Sequence, residues 1–173
     1  MILVECGIYK DTCPLKMNFE GRHVNMNNIS HLVKIEDLNH HGTLFAGRAA
    51  EWFVEATYIE ANIHYKNPEG LVCLKIHGMK FMKPAKKGEI VNIKTSIAYA
   101  GRTSIMVYGK AYNMLNPQEV LVEGFVTFVS VDEDGKKKPH NIKFVPQTEE
   151  EREIHRRALS LRKSELQLDE SSK

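Results

Sequence analysis

Asn39-His40-His41-Gly42-Thr43-Leu44-Phe45-Ala46-Gly47-Arg48 is a polar turn that runs straight into an amphipathic segment, and its reading decides the fold. Asn39 to Thr43 has turn composition, with Gly42 free to take a backbone conformation closed to other residues. Beyond the turn, Leu44, Ala49, Trp52, Phe53, Ala56, Ile59 and Ile63 share one broad face, interrupted by Arg48, Glu51, Glu55 and Glu60. Several alanines favour helix, and Asn67-Pro68-Glu69-Gly70 stops it. The segment predicts a helix of about 20 residues, roughly 30 Å long. In a chain of 173 residues, that is a helix around which a sheet can curve.

Working outward, His31-Leu32-Val33-Lys34-Ile35 is branched enough for a short strand before the acidic turn Glu36-Asp37. Downstream, Leu71 to Leu74 opens a strand and Met79 to Met82 precedes a turn from Pro84 to Gly88. Glu89 to Tyr99, Thr103 to Leu115 and Val120 to Val131 read as long strands, joined at Ala100-Gly101-Arg102 and Asn116-Pro117-Gln118. The alternation of strand and helix that builds a parallel sheet is missing. The expectation is an α+β fold with an antiparallel sheet curved around one long central helix.

This body occupies 21–146. Residues 1–20, with Ile2-Leu3-Val4 and Pro14, are expected to form an edge strand or an arm across a neighbour. Residues 147–166 carry Ile154, Ala158 and Leu161 at helical spacing in a charged run, a surface helix or packing arm. Residues 167–173 are expected to be a disordered tail.

A single domain of this size buries roughly 70% of its unfolded surface, enough to fold without a metal or disulfide. The net charge of +2 is too small to indicate a nucleic-acid or membrane partner. Cys6, Cys13 and Cys73 form neither a disulfide framework nor a metal-binding spacing. With no basic-then-apolar leader and no long apolar stretch, the expectation is a reduced, cytoplasmic protein.

The string from Asn39 to Arg48 resembles the signature of hot-dog-fold acyl-CoA thioesterases of the cytosolic acyl-CoA hydrolase type. There, an Asn with a Gly three residues on leads to a Gly-Gly pair opening the central helix. Three more segments look like the family: Met79 to Pro84 with Gly88, the hairpin Gly101-Arg102-Thr103-Ser104, and Phe128 to Gly135. Together they span roughly residues 30 to 140. Two positions depart from the pattern. Ala46 replaces the first glycine of the pair, and Val54 stands where the family carries an acid, 15 positions after the Asn.

The resemblance implies hydrolysis of acyl-CoA to free acid and CoA, with no metal or redox cofactor. It implies a site across the interface of a homodimer, itself able to form a trimer of dimers. Asn39 would orient the water or the thioester carbonyl, although Asn also caps turns with no chemistry at all. Backbone N–H groups near Ala46 and Gly47, unpaired at the helix start, would stabilise the oxyanion. Glu55, beside Val54, is the preferred substitute acid, because pairs of acids are usual here in the family. Glu51 is the alternative, nearly one turn earlier on almost the same face as Val54.

Arg102, Thr103 and Ser104 lie by resemblance near the nucleotide end of CoA, and Lys138 in the Lys136-Lys137-Lys138 run could meet its 3′-phosphate. Their bland readings are a hairpin end and a solvated turn. The His40-His41 pair has no recognisable third metal ligand. The rival function is a non-catalytic acyl-CoA binding or regulatory protein that lost its acid.

Overall fold

The computed structural model describes residues 27–171. The strands are β1 (Asn27–Leu32), β2 (Leu71–Phe81), β3 (Ile90–Ala100), β4 (Ser104–Asn113) and β5 (Asn116–Ser130). They form one antiparallel sheet in the order β1-β3-β4-β5-β2. Helix α1 (Ala46–Tyr65) lies on its inner face, and helix α2 (Glu149–Ser171) packs against the other. This is the expected α+β hot-dog architecture. The 1–20 arm lies outside the described residues.

α1 buries Ala49, Trp52, Phe53, Ala56, Thr57, Glu60 and Ala61. It seats on the sheet because Gly109 of β4 has no side chain. A Cβ there would lie 2.6 Å from the Phe53 ring and 3.2 Å from Thr57 Cγ2. Gly109 pairs directly with Gly124 of β5. At Gly124 the space goes instead to the bulged backbone of β2, where Met79 Cα would stand 3.0 Å from an added Cβ. Two adjacent glycines thus admit the helix and the bulge at mid-sheet.

On the outer face, Ile154 and Ala158 of α2 pack with Ala98, Met106, Tyr108 and Phe125. Thr148 and Glu151 begin this helix as a reciprocal cap: Glu151 N–H donates to Thr148 Oγ1 (3.1 Å) and Thr148 N–H to Glu151 Oε2 (3.2 Å). The Arg157 guanidinium lies 5.3 Å from the Tyr108 ring and 5.2 Å from that of Phe125. Burial first, then Glu123, pushes the Tyr108 hydroxyl up to about 12.

Several boundaries differ from the sequence reading. β1 ends at Leu32, and Ile35–Asp37 is a 3-10 turn in which Asp37 Oδ2 accepts the Lys34 N–H at 2.9 Å. Residues 71–81 form one strand, bent by two register shifts. The β4–β5 turn is Met114-Leu115, held by Asn113 Oδ1 accepting the Leu115 N–H at 3.0 Å, and not Asn116-Pro117-Gln118. α2 continues to Ser171, past the boundary near 166. Glu, Leu and Gln are good helix formers, and their propensity outweighs the polarity that suggested a tail.

Candidate active site

The loop before α1 is built on Asn39. Its Oδ1 accepts the N–H groups of His41 (2.9 Å) and Thr43 (3.2 Å), while its Nδ2 donates to Thr43 Oγ1 (3.1 Å). Gly42 takes φ +73° to close this turn. The loop is then tied down on both sides, Leu44 N–H to Ala85 O and Phe45 N–H to Asp37 O, each 2.8 Å.

α1 therefore starts at a defined place, with Phe45 at its N-cap and no side chain capping it. The first helical bond is made by Ala49 N–H to Phe45 O (3.0 Å), which leaves the N–H groups of Ala46, Gly47 and Arg48 ahead of it. Ala46 and Gly47 are exposed. Gly47 is small where the Phe45 ring lies over the first turn, 2.4 Å from where a Cβ would be.

Beside this helix end is an apolar cavity of about 250 Å³. Asn39, Ala46, Phe81 and Met82 line its outer part, and Ala49 and Trp52 its helix side. Ile93, Ala111 and Val122 line its sheet side, each no more than 4% exposed. No acidic side chain lines it.

The candidate acids are placed elsewhere. Glu51 is exposed and paired with Arg48 (2.7 Å), which also meets the buried Asp37 (3.3 Å). Glu55 is exposed and acts electrostatically on His31 of β1. The buried carboxylate of α1 is Glu60, 2% exposed and 3.2 Å from His64 Nε2. Sequence reading noted Glu60 only as an interruption of the apolar face. Its signal was its position, i+4 from Ala56 and i−4 from His64.

His31 stacks on Trp52, with ring centroids 4.4 Å apart and planes 4° apart, and its Nε2 has no hydrogen-bond partner. Burial lowers the imidazole pKa below its ordinary value of 6.5, against opposing pulls from Glu55 and Asp37. Protons then bind the unfolded chain more readily. Stability from this group is present above about 6.5 and is lost as pH falls toward the lower folded-state value. Thermal unfolding of His31→Gln between pH 7.5 and 5 is expected to show a smaller acid loss of Tm than the unaltered chain. Parallel curves would contradict this.

The nucleotide-end candidates do come together. Arg102 O accepts the His140 N–H (3.0 Å), Thr103 O accepts the Ser130 N–H (2.9 Å), and Lys138 N–H donates to Ser130 O (2.8 Å). His140 Nε2 lies 3.2 Å from Ser104 O. This cluster stands at the opposite end of β3 from the cavity, roughly 30 Å away by strand rise. Among the described residues no group of His, Cys, Asp or Glu is placed to hold a metal, and no helix is long and apolar enough to cross a membrane.

Comparison with known proteins agrees with this fold. The Thioesterase superfamily model matches residues 41–114. An uncharacterised acyl-CoA thioester hydrolase of Bacillus subtilis (strain 168), YkhA, is 29% identical over 126 residues, 71% of this chain and 72% of that one. A crystal structure described as an apo-hexameric acyl-CoA thioesterase is 28% identical with a TM-score of 0.73, covering 83% of this chain and 92% of its own. An acyl-CoA hydrolase from Bacillus cereus is 26% identical with a TM-score of 0.73, covering 84% and 88%. With α1 cradled by the sheet and the Asn39 turn at its start, the chain has the hot-dog fold and is similar to acyl-CoA thioesterases of that fold.

Proposed function

We propose that the protein hydrolyses acyl-CoA to free acid and CoA at a site shared by two copies of the chain. The observation that carries this is the uncapped start of α1 opening beside an apolar cavity, with Asn39 on its rim. Helix-terminal N–H groups of Gly47 and its neighbours would donate to the carbonyl oxygen as it gains charge. Asn39 Nδ2 spends one N–H on Thr43, which leaves its second to orient the water or the carbonyl. Water adds to the carbonyl carbon, the C–S bond breaks, and the CoA sulfur leaves with the proton.

The pairing of chains rests on β2. It is an edge strand with exposed Val72, Leu74 and Ile76, a surface that favours covering by a second copy. Two β2 edges meeting antiparallel about a twofold axis would set the Phe81 end of one chain beside the Leu71 end of the other. The Leu71 end carries Arg102, Thr103, Ser104 and Lys138, so the second copy would hold the CoA phosphates. The relative described as hexameric is compatible with a trimer of such dimers. Charge contacts of this exposed kind are modest, and Arg102→Ala with Lys138→Ala should weaken CoA binding several-fold at low salt. Calorimetry in low and high salt checks this, and an unchanged affinity at low salt would remove these residues from the site.

The acid is proposed to be Glu55 of the second copy, with Glu51 as the alternative, since neither lines the cavity of its own chain. Thiol release from a panel of acyl-CoAs by the unaltered chain, Glu55→Gln and Glu51→Gln tests the whole reading. Release that both variants retain in full rules out carboxylate catalysis by these residues. The absence of any cavity carboxylate, with Val54 in the usual acid position, favours a second reading: an acyl-CoA binding protein. Binding with no release in any panel member would establish that one.

A further inference from the structure

We propose that the cavity inside each chain is the acyl compartment, and that Ala111 sets its depth at about ten carbons. The preferred substrates are then medium-chain acyl thioesters. This rests on the proposed site, whose helix end opens beside the cavity.

Ile93, Ala111 and Val122 are directly paired neighbours on β3, β4 and β5, and they form a buried row across the sheet side of the cavity. Ala111 is the smallest member and sits in the middle of the row. Ala49 lines the cavity from α1. The void therefore exists because helix and sheet each present an alanine there. The hydrogen-bonded strands behind Ala111 keep this wall in place, so chain length is limited by volume. An apolar cavity of about 150 Å³ accommodates benzene, roughly 25 Å³ per carbon. At the same figure, the 250 Å³ here takes about ten carbons. The polar residues Asn39 and the exposed Lys83 lie away from the buried Ile93-Ala111-Val122 row, so the thioester stays at the helix end while the alkyl chain runs inward.

Trp52 lines the cavity and is the single tryptophan of the sequence, which makes its emission a reporter of filling. The full chain is titrated with S-alkyl-CoA thioethers of four to sixteen carbons, which have no carbonyl to hydrolyse. Affinity is expected to rise about fourfold per methylene, the usual gain on burying one, and to level off near about ten carbons. In Ala111→Leu, three added carbons should bring the break to about seven carbons. Val122→Ala should move it about two carbons the other way, and neither variant should change the affinity for CoA alone. Affinity that climbs steadily to sixteen carbons, shows no dependence on length, or breaks at the same length in folded variants overturns the proposal. The unaltered chain's profile alone is decisive if a variant fails to fold. A break without thiol release from true acyl-CoAs would sink hydrolysis and leave the compartment. Release with no break would do the reverse.

Discussion

Asn39→Ala is expected to lower kcat for acyl-CoA hydrolysis by about 10²- to 10³-fold, the usual cost of removing one preorganised donor to a developing oxyanion or its water. It should also cost about 1 kcal/mol of stability, because Asn39 Oδ1 holds the His41 and Thr43 N–H groups. The two roles are separable with Asn39→Asp. A carboxylate still accepts both N–H groups and keeps the turn, but it has no Nδ2 to donate. Asn39→Asp should therefore unfold near the temperature of the unaltered chain while remaining as inactive as Asn39→Ala. Full activity in Asn39→Asp would reduce Asn39 to a turn-forming residue.

Phe53→Ala is expected to cost about 3–5 kcal/mol, a drop in Tm on the order of 10 °C for a domain of this length. Phe53 is fully buried, and its ring occupies the space above Gly109. Filling that space from below should also destabilise, with Gly109→Ala costing about 1–3 kcal/mol through overpacking. The contact predicted to be responsible is with ring atoms that leucine lacks. The Gly109→Ala penalty should therefore shrink in a Phe53→Leu background, a coupling readable from a double-mutant cycle in denaturant. Strictly additive effects would mean that α1 does not rest on this glycine.

α1 was legible because a period of 3.6 residues and the Asn-Pro-Glu-Gly stop are written in neighbouring residues. The hairpin β3–β4 was legible for the same reason, its strands alternating around Gly101. The β4–β5 turn was misplaced because Pro117 is a strong turn signal in isolation. Here Pro117 lies within β5, beside a register irregularity, and Asn113 makes the turn with its side chain. α2's docking on Ala98, Met106 and Phe125 could not be chosen over a free surface helix, since those residues lie far off in sequence.

In the candidate site, the sequence by itself determined the Asn39 turn, the open start of α1 and the absence of an acid at Val54. Each depends on residues a few positions apart. Tertiary structure alone decided which carboxylate of α1 is buried: Glu60 is enclosed, while Glu51 lies with Arg48 and Glu55 beside His31. It alone decided that Arg102 and Lys138 share one end of the sheet, and that Ala49 and Ala111 face a common void. The physical reason is strand register. A helix period tells which side chains share a face, but what that face meets is set by pairings between strands tens of residues apart.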